Sequence, residues 1–425
     1  MSQSASFELS VDHNKYLPEG QRVIDAVISV STAGQRRGAA PTAAQVIMID
    51  CSSSMADGKI VEAKRATTVA VDMLNDGVAF AIVAGTETAH MVYPSAGMVT
   101  ASPASKEEAR QAIRKLRASG GTAIGSWLEL ANKLLVAQEA EIKHAILLTD
   151  GHNQHEQPYE LAATLQRCRD HFVCDSRGVG KGWAAEPLVA VADALHGSAR
   201  GLPDEKMLVD EFRAMAKDFM STTIANVALR VRTPKGGRVR FLKEVHPHRV
   251  DLTDRRRDVS DQSGDYPTGS WGAETRDYHL SVELPADNEI GDEVLAALVS
   301  VMSGNTELAG GGLVTAEWTD DRALSTMIGE KVAHYTGQVE LGEAIQAGLS
   351  AMREGRDDEA AAHFGLAAQR AKESGRVETL EMLDKVVHLD DAASAQVRVR
   401  RDMEEVDKEM LTLESRATKR WPDET

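Results

Sequence analysis

Short apolar runs alternate with amphipathic stretches between about residue 45 and residue 220. The runs Val46–Ile49, Val78–Ala84 and Ala145–Leu148 have the length and apolar content of buried strands. Strands that alternate with helices predict an α/β fold with a doubly wound, mostly parallel sheet covered on both faces. The remaining predicted elements are strands near 88–93 and 172–179 and helices at 59–75, 105–117, 123–138, 159–168, 188–195 and 208–220.

The pattern changes on both sides of this region. Strand-like runs without intervening helices lie between Ile224 and Met302, which is typical of an antiparallel β-sandwich. Two further strand-like runs precede a small, polar linker at Ala33–Thr42. We therefore expect the α/β region to be inserted into a β-sandwich whose strands come from both flanks. The predicted domains are 1–40 (N-terminal strands of the sandwich), 41–221 (α/β domain), 222–320 (β-sandwich) and 321–425 (C-terminal helical bundle).

Apolar residues recur at helical spacing in the C-terminal part of the chain. Gly348 and Phe364 belong to a pattern that matches one helical hairpin. A final helix is predicted with a heptad seam, which fits either packing within the chain or dimerisation. The oligomeric state stays open. The seam consists of Val399, Met403, Val406, Met410 and Leu413.

Charge and cysteine content narrow the class of protein. The 425 residues carry a net charge of −17, which argues against non-specific binding to nucleic acid or to anionic membranes. Residues 230–257 hold ten Lys and Arg against three acids, and we favour a solvated sheet face over a nucleic-acid site there. The first residues have no basic n-region and no apolar core, so we expect no secretory signal. No apolar stretch reaches about 18 residues, and the three cysteines form no CxxC pair. We expect a cytoplasmic protein without a membrane partner.

Oxygen-bearing side chains follow the predicted strand ends. Asp50, Ser52 and Ser54 come directly after the first apolar run, and hard oxygens suit Mg²⁺, Mn²⁺ or Ca²⁺. The same residue types also cap helices, so this stretch alone leaves a capping turn equally open. Thr122 lies in a Gly-flanked loop, and Asp150 follows the third apolar run. Because ligands of parallel α/β sheets bind at the carboxyl ends of the strands, all of these side chains can reach one crevice.

The order of these residues resembles the von Willebrand factor type A (VWA) family over residues 45–221. Its metal-ion-dependent adhesion site (MIDAS) is written D-x-S-x-S, followed by a distant Thr and then by an Asp at a strand end. Ser53 stands where the family usually has Gly, which removes no oxygen ligand. The resemblance implies a Mg²⁺ ion (or Mn²⁺ or Ca²⁺) and the metal ligands Asp50, Ser52, Ser54, Thr122 and Asp150.

The resemblance also implies a function. An adhesion site of this kind leaves the ion an open coordination position, which an acidic residue of a partner protein fills. Bacterial cytosolic VWA proteins often work beside AAA+ ATPases of the MoxR type, so such an ATPase is an expected partner. We therefore expect a protein-interaction module and no enzyme. Two alternatives remain: a divalent-metal-dependent hydrolase, and a scaffold that binds through its C-terminal helices beside a vestigial metal site.

The residues beside this site match no known catalytic or zinc-binding motif. His152, His155 and Glu156 follow Asp150 closely, but their order matches no zinc-protease pattern, and a polar loop is favoured. An aspartyl-phosphate enzyme needs a second acid two residues after its nucleophile, where this chain has Ser52. No G-x-S-x-G elbow or GxxxxGK[ST] loop occurs in the sequence. The sequence offers no catalytic set.

Overall fold

The computed structural model of the protein describes residues 7–33, 41–56, 58–286, 288–391 and 396–421. Most of the predicted linker at Ala33–Thr42 lies outside the described residues. The chain divides into two units. The sandwich unit comprises Met1–Gly38, Asn226–Met403 and Glu414–Thr425, and the α/β unit comprises Ala39–Ala225 and Glu404–Leu413. Within the described residues, no helix has both the length and the apolar character needed to cross a membrane.

The first strands belong to the sandwich unit. The chain there is rich in β-branched residues, and Val27, Ile28 and Val30 are fully buried. These strands are β1 (Phe7–His13), β2 (Tyr16–Pro18) and β3 (Val23–Thr32).

The α/β unit follows with alternating strands and helices. Its strands are β4 (Ala43–Asp50), β5 (Ala79–Gly85), β6 (Ala89–Tyr93), β7 (Val99–Thr100), β8 (Ile142–Thr149), β9 (Val173–Val179) and β10 (Ala199–Leu202). Its helices are α1 (Lys59–Met73), α2 (Pro103–Arg114), α3 (Ile124–Val136), α4 (Pro158–Cys168), α5 (Ala185–Ala194) and α6 (Leu208–Ser221).

The sheet of the α/β unit is mostly parallel and is covered on both faces. Its strand order is β10-β9-β8-β4-β5-β6, with β7 also beside β5, and only β6 and β7 run antiparallel within the described sheet. Ile47 and Ile49 of β4 pack on one face with α1, α2 and α6. Val46 and Met48 pack on the other face with α3, α4 and α5. The predicted doubly wound α/β sheet is confirmed.

Helix α2 begins earlier than the sequence pattern predicts. Ser102, rather than Ser105, is the N-cap, and Pro103 occupies the first helical position. The Ser102 hydroxyl accepts the Ser105 backbone N–H at 3.2 Å, and the Ser105 hydroxyl accepts the Ser102 N–H at 2.9 Å. The prediction of a helix start at Ser105 is wrong because that residue supplies the second half of the capping box.

The described strand pairs of the sandwich unit are antiparallel, except that Tyr16–Pro18 runs parallel to residues 317–319. One sheet has the order β1-β3-β16-β12-β13 and the other β14-β15-β11-β17-β18-β2, so the N-terminal strands enter both sheets. The predicted insertion of an α/β fold into a β-sandwich is confirmed. The strands are β11 (Ile224–Arg232), β12 (Arg238–His246), β13 (Val250–Asp251), β14 (Arg257–Ser260), β15 (Ser263–Trp271), β16 (Glu274–Glu283), β17 (Glu293–Ser303) and β18 (Thr306–Thr319).

Basic residues in this unit meet acids on neighbouring strands. Arg230 donates two hydrogen bonds to the carboxylate of Asp265, at 2.7 and 2.8 Å. Arg238 donates two hydrogen bonds to one oxygen of Glu283, Oε2, at 2.9 and 2.6 Å. Part of the basic stretch at 230–257 is therefore neutralised within the sandwich unit.

The C-terminal region combines helices with a short hairpin. Helices α8 and α9 pack closely, since a Cβ atom at Gly348 would lie within 3 Å of the Phe364 ring. Val399 lies in a strand, so the predicted seam begins too early. The elements are α7 (Arg322–Ser325), α8 (Glu330–Arg353), α9 (Asp357–Glu373), α10 (Val377–Val386), β19 (Val387–Asp391), β20 (Gln396–Val399) and α11 (Glu405–Glu414).

Helix α11 packs into the α/β unit. Val406 is buried in the apolar cluster on the α3 face, and Met410 and Leu413 pack against the same cluster. The C-terminal half of the predicted seam therefore serves packing within the chain.

Candidate metal site

The candidate site lies at the carboxyl ends of two neighbouring parallel strands. Strand β4 ends at Asp50, and β8 ends at Thr149, directly before Asp150. The two strands are in register with Ile49 beside Leu148. Pairing of these strands therefore brings the two aspartates, 100 positions apart in sequence, to one edge of the sheet.

Four of the predicted ligands form a hydrogen-bonded chain. The hydroxyls of Ser52 and Ser54 are 3.0 Å apart. The Ser54 hydroxyl donates to Oδ1 of Asp150 at 2.7 Å, and the Ser52 backbone N–H donates to Oδ1 of Asp50 at 2.7 Å. Two carboxylates and two hydroxyls thus converge over a single turn that follows β4.

Thr122 lies beside this chain. A Cβ atom at Gly151 would lie 3.5 Å from Ser54 Oγ and 3.8 Å from Thr122 Oγ1, so the two hydroxyls flank that glycine. The Thr122 loop is attached to the serine turn because the Ser53 backbone N–H donates to the Gly120 carbonyl at 2.9 Å. All five predicted site residues are therefore gathered at one place.

Thr149 and Lys59 are at the site as well, and the sequence interpretation assigned neither. The Thr149 hydroxyl donates to Oδ2 of Asp50 at 2.5 Å. The Lys59 ammonium forms an ion pair with Oδ2 of Asp150 and donates to the Ser54 carbonyl at 3.1 Å. A signal for Lys59 exists in the sequence: it is a cation in the first turn of a helix, where the helix dipole disfavours positive charge.

The polar loop after Asp150 caps α3. The Thr122 N–H donates to Nδ1 of His155 at 3.1 Å, and the Gly125 N–H donates to the Glu156 carboxylate at 2.8 Å. Asn153 accepts the N–H of Ile124 at 2.9 Å. These side chains satisfy the backbone donors of a helix start.

In the described part of the chain, no group of three or more His, Cys, Asp or Glu side chains is placed to hold a metal ion.

Burial sets the electrostatics of the site. Both aspartates are buried, at 0% exposure for Asp50 and 1% for Asp150. Burial raises the pKa of Asp50, and the nearby charge of Asp150 acts in the same direction, while hydrogen bonds from Ser52 and Thr149 oppose the rise. Two buried carboxylates in one site favour a cation that compensates their charge.

Cys51 takes no part in this chemistry. It packs among the apolar residues of the α1 face, and burial raises the pKa of its thiol to about 12. A thiol with such a pKa stays protonated at neutral pH and is a poor metal ligand.

The donor set fits a hard divalent cation. The converging groups are carboxylate and hydroxyl oxygens, which Mg²⁺, Mn²⁺ and Ca²⁺ prefer. The site already holds one positive charge, because the Lys59 ammonium pairs with the carboxylate of Asp150, whose side chain has no exposed surface.

A cleft of about 430 Å³ borders the site on the Thr122 side. Glu87 and Gly125 line it together with His155, Glu156 and the exposed Tyr159. His155 and Glu156 belong to the loop that contacts Thr122 and caps α3.

Comparisons with known proteins give one consistent result. Residues 44–200 match the model of the von Willebrand factor type A domain, and residues 369–417 match that of the von Willebrand factor type A C-terminal domain. The structure of a von Willebrand factor type A protein from Catenulispora acidiphila is 40% identical in sequence and superposes with a TM-score of 0.92. That match covers 99% of this chain and 98% of the other.

Two further relatives are more distant. The crystal structure of the ArnB paralog VWA2 from Sulfolobus acidocaldarius is 14% identical and covers 97% of this chain and 98% of its own, with a TM-score of 0.60. It shows likeness of fold alone. An uncharacterized protein from Synechocystis is 25% identical over 270 residues, or 62% of this chain. The match spans 63% of the length of that curated relative.

Proposed function

Because the chain belongs to the von Willebrand factor type A family, we propose that it is a protein-interaction module whose divalent cation binds an acidic residue of a partner protein. Proteins of this family are generally protein-interaction modules, and their domains commonly bind a divalent metal ion. The single observation that supports the finer proposal is the convergence of Asp50, Ser52, Ser54 and Asp150 beside Thr122.

Different residues would supply the negative charge and the neutral oxygens that hold the ion. Asp50 and Asp150 supply negative charge, and the hydroxyls of Ser52, Ser54 and Thr122 supply neutral oxygens. A bound Mg²⁺ or Mn²⁺ would supply an open coordination position that a partner carboxylate can fill. The hydroxyl of Thr149 orients Asp50 by donating to its Oδ2. An AAA+ ATPase of the MoxR type is the partner class that we propose.

Calorimetric titration of Mg²⁺ and of Mn²⁺ tests the metal site. We expect the wild type to bind one ion and Asp150→Ala to bind none, because this change removes a buried charge that faces the ion. Asp76→Ala is the matched control, since it removes an exposed carboxylate of the same unit that pairs with Lys106. Absence of binding heat from the wild type would overturn the proposal.

A capture experiment tests the interaction. Partner proteins should be retained on the immobilised full chain in Mg²⁺ and released by a chelator, and Asp150→Ala should retain none. Phosphatase and protease assays with Mg²⁺ or Mn²⁺ provide the opposing outcome. Turnover that Asp50→Ala abolishes would replace the proposed interaction module with a hydrolase.

A further inference from the structure

Lys59 is the residue whose contacts the proposed function leaves unexplained. It begins helix α1, and its ammonium pairs with Asp150 although the helix start disfavours a cation there. The Asp150 side chain has no exposed surface, whereas 27% of the Lys59 side chain is exposed. A partly exposed cation thus neutralises the buried carboxylate.

Both carboxylate oxygens of Asp150 are engaged. Oδ1 accepts the hydroxyl of Ser54 at 2.7 Å, and Oδ2 accepts the ammonium of Lys59. A divalent ion held by Asp150 has to share this carboxylate with the ammonium or replace it. Two cations at one carboxylate repel each other, and the repulsion is stronger in a buried site than in water.

The Lys59 side chain passes close to a glycine on its way to Asp150. Its side chain runs along Gly180, where a Cβ atom would lie 3.2 Å from Lys59 Cε. Gly180 has a φ of +75°, a conformation that favours glycine and keeps this path free of a side chain. A side chain at position 180 would therefore crowd Lys59 where it reaches Asp150.

We propose that Lys59 is a competing internal cation, which occupies Asp150 when no divalent ion is bound and lowers the affinity of the site for that ion. This inference rests on the proposed function, because it presumes that a divalent ion binds beside Asp150. In this role Lys59 competes with the divalent ion for Asp150 and so sets the affinity of the site for that ion. A purely structural role, in which Lys59 braces the serine turn through the Ser54 carbonyl, makes the opposite prediction.

The test is calorimetric titration of Mg²⁺ into the full chain. Lys59→Met should bind the ion about tenfold more tightly than the wild type, since a repelling charge is removed. Lys59→Arg keeps the charge and should stay within about twofold of the wild type. Lys64→Met is the matched control: it removes one positive charge from the same helix, where Lys64 donates to the Arg114 carbonyl.

Thermal unfolding gives a second readout, which can be measured even if the variant is partly destabilised. Without metal, Lys59→Met should melt below the wild type, because Asp150 loses its only described ion-pair partner. Saturating Mg²⁺ should then raise the Tm of Lys59→Met more than that of the wild type. An equal or smaller rise would contradict the inference.

The outcomes separate this inference from the proposed function. If the wild type binds Mg²⁺ and Lys59→Met binds it equally or more weakly, Lys59 is a structural brace and the metal site stands. If neither protein binds Mg²⁺ at millimolar concentration, the proposed metal site fails and the inference fails with it. If Lys59→Met alone binds, the inference stands because Lys59 closes the site to metal, and the proposed metal-dependent function of the wild type fails.

Discussion

Single hydrogen bonds hold the carboxylates of the metal site in position. Asp50 accepts one donor at each oxygen, the Ser52 N–H at Oδ1 and the Thr149 hydroxyl at Oδ2. These donors oppose the effect of burial on the pKa of Asp50. Residues that orient a ligand without touching the metal can change metal affinity by 10- to 100-fold.

Thr149→Val tests this role. Valine has the shape of threonine but lacks the hydroxyl, so Asp50 loses its donor at Oδ2 and its fixed orientation. We expect the affinity for Mg²⁺ to fall about tenfold in calorimetry, with the unfolding transition little changed. Thr67→Val is the control, because Thr67 is equally buried but donates to the Ala63 carbonyl within helix α1. Equal losses in the two variants would contradict the role of Thr149.

The sequence predicts those site residues whose type and spacing are themselves typical of a metal site. Asp50, Ser52 and Ser54 stand at alternate positions after an apolar run, and their side chains converge in the structure. Thr149 and Lys59 escaped prediction for a physical reason. A threonine within a strand fits any half-buried sheet, and the partner of a helix-start lysine is far away in sequence.

At the scale of elements, α11 is attached to the α/β unit by charge as well as by apolar packing. Glu409 accepts the backbone N–H of Ala185, the first residue of α5, at 2.6 Å. Glu404 pairs with Lys181 in the loop that follows β9. A carboxylate at a helix N-terminus satisfies an unpaired donor and interacts favourably with the helix dipole.

Glu409→Gln tests this attachment. Loss of the charge should cost about 1 kcal/mol and should accelerate hydrogen exchange of the α11 amides more than that of the central strands. Glu405→Gln is the matched control on the same helix, because Glu405 makes only an exposed ion pair with Lys408 among its described contacts. Equal acceleration in both variants would show that Glu409 contributes no more than a surface charge.

Elements with continuous apolar runs were predictable, and elements rich in glycine or proline were not. Strands β4, β5, β8 and β9 follow the predicted positions closely. The sequence pattern missed β15, which contains Gly264, Pro267 and Gly269, and also β18 with its run of three glycines. These residues usually mark turns, and only pairing with neighbouring strands keeps them extended.

At the scale of the whole molecule, stability depends on a buried acid far from the metal site in sequence. Glu244 on β12 is 7% exposed, and Arg276 Nη1 lies 4.0 Å from its carboxylate. Burial raises the pKa of Glu244 to about 7, from 4.5, although Arg276 acts in the opposite direction. Folding therefore binds a proton between these two values, and the free energy of unfolding decreases as the pH rises through this range.

Glu244→Gln tests this pH dependence. The variant should equal the wild type near pH 4 and become relatively more stable as the pH rises, by on the order of 3 kcal/mol at pH 8. Denaturant titrations from pH 4 to pH 8 measure the difference. Glu283→Gln gives the opposite sign, since Arg238 lowers the pKa of Glu283 and that stability is present only above the unfolded pKa. A constant difference across the pH range would contradict the role of Glu244.

The return of α11 to the α/β unit means that this unit is built from two separate stretches of chain. Val406 completes an apolar cluster that contains Trp183 and Leu188, so residues 41–225 alone would leave part of that cluster open to water. A fragment of this length should aggregate, and a synthetic peptide of residues 403–415 should restore its solubility and its cooperative melting. Restoration by the peptide would show that the α/β unit can be assembled from two separate pieces of chain.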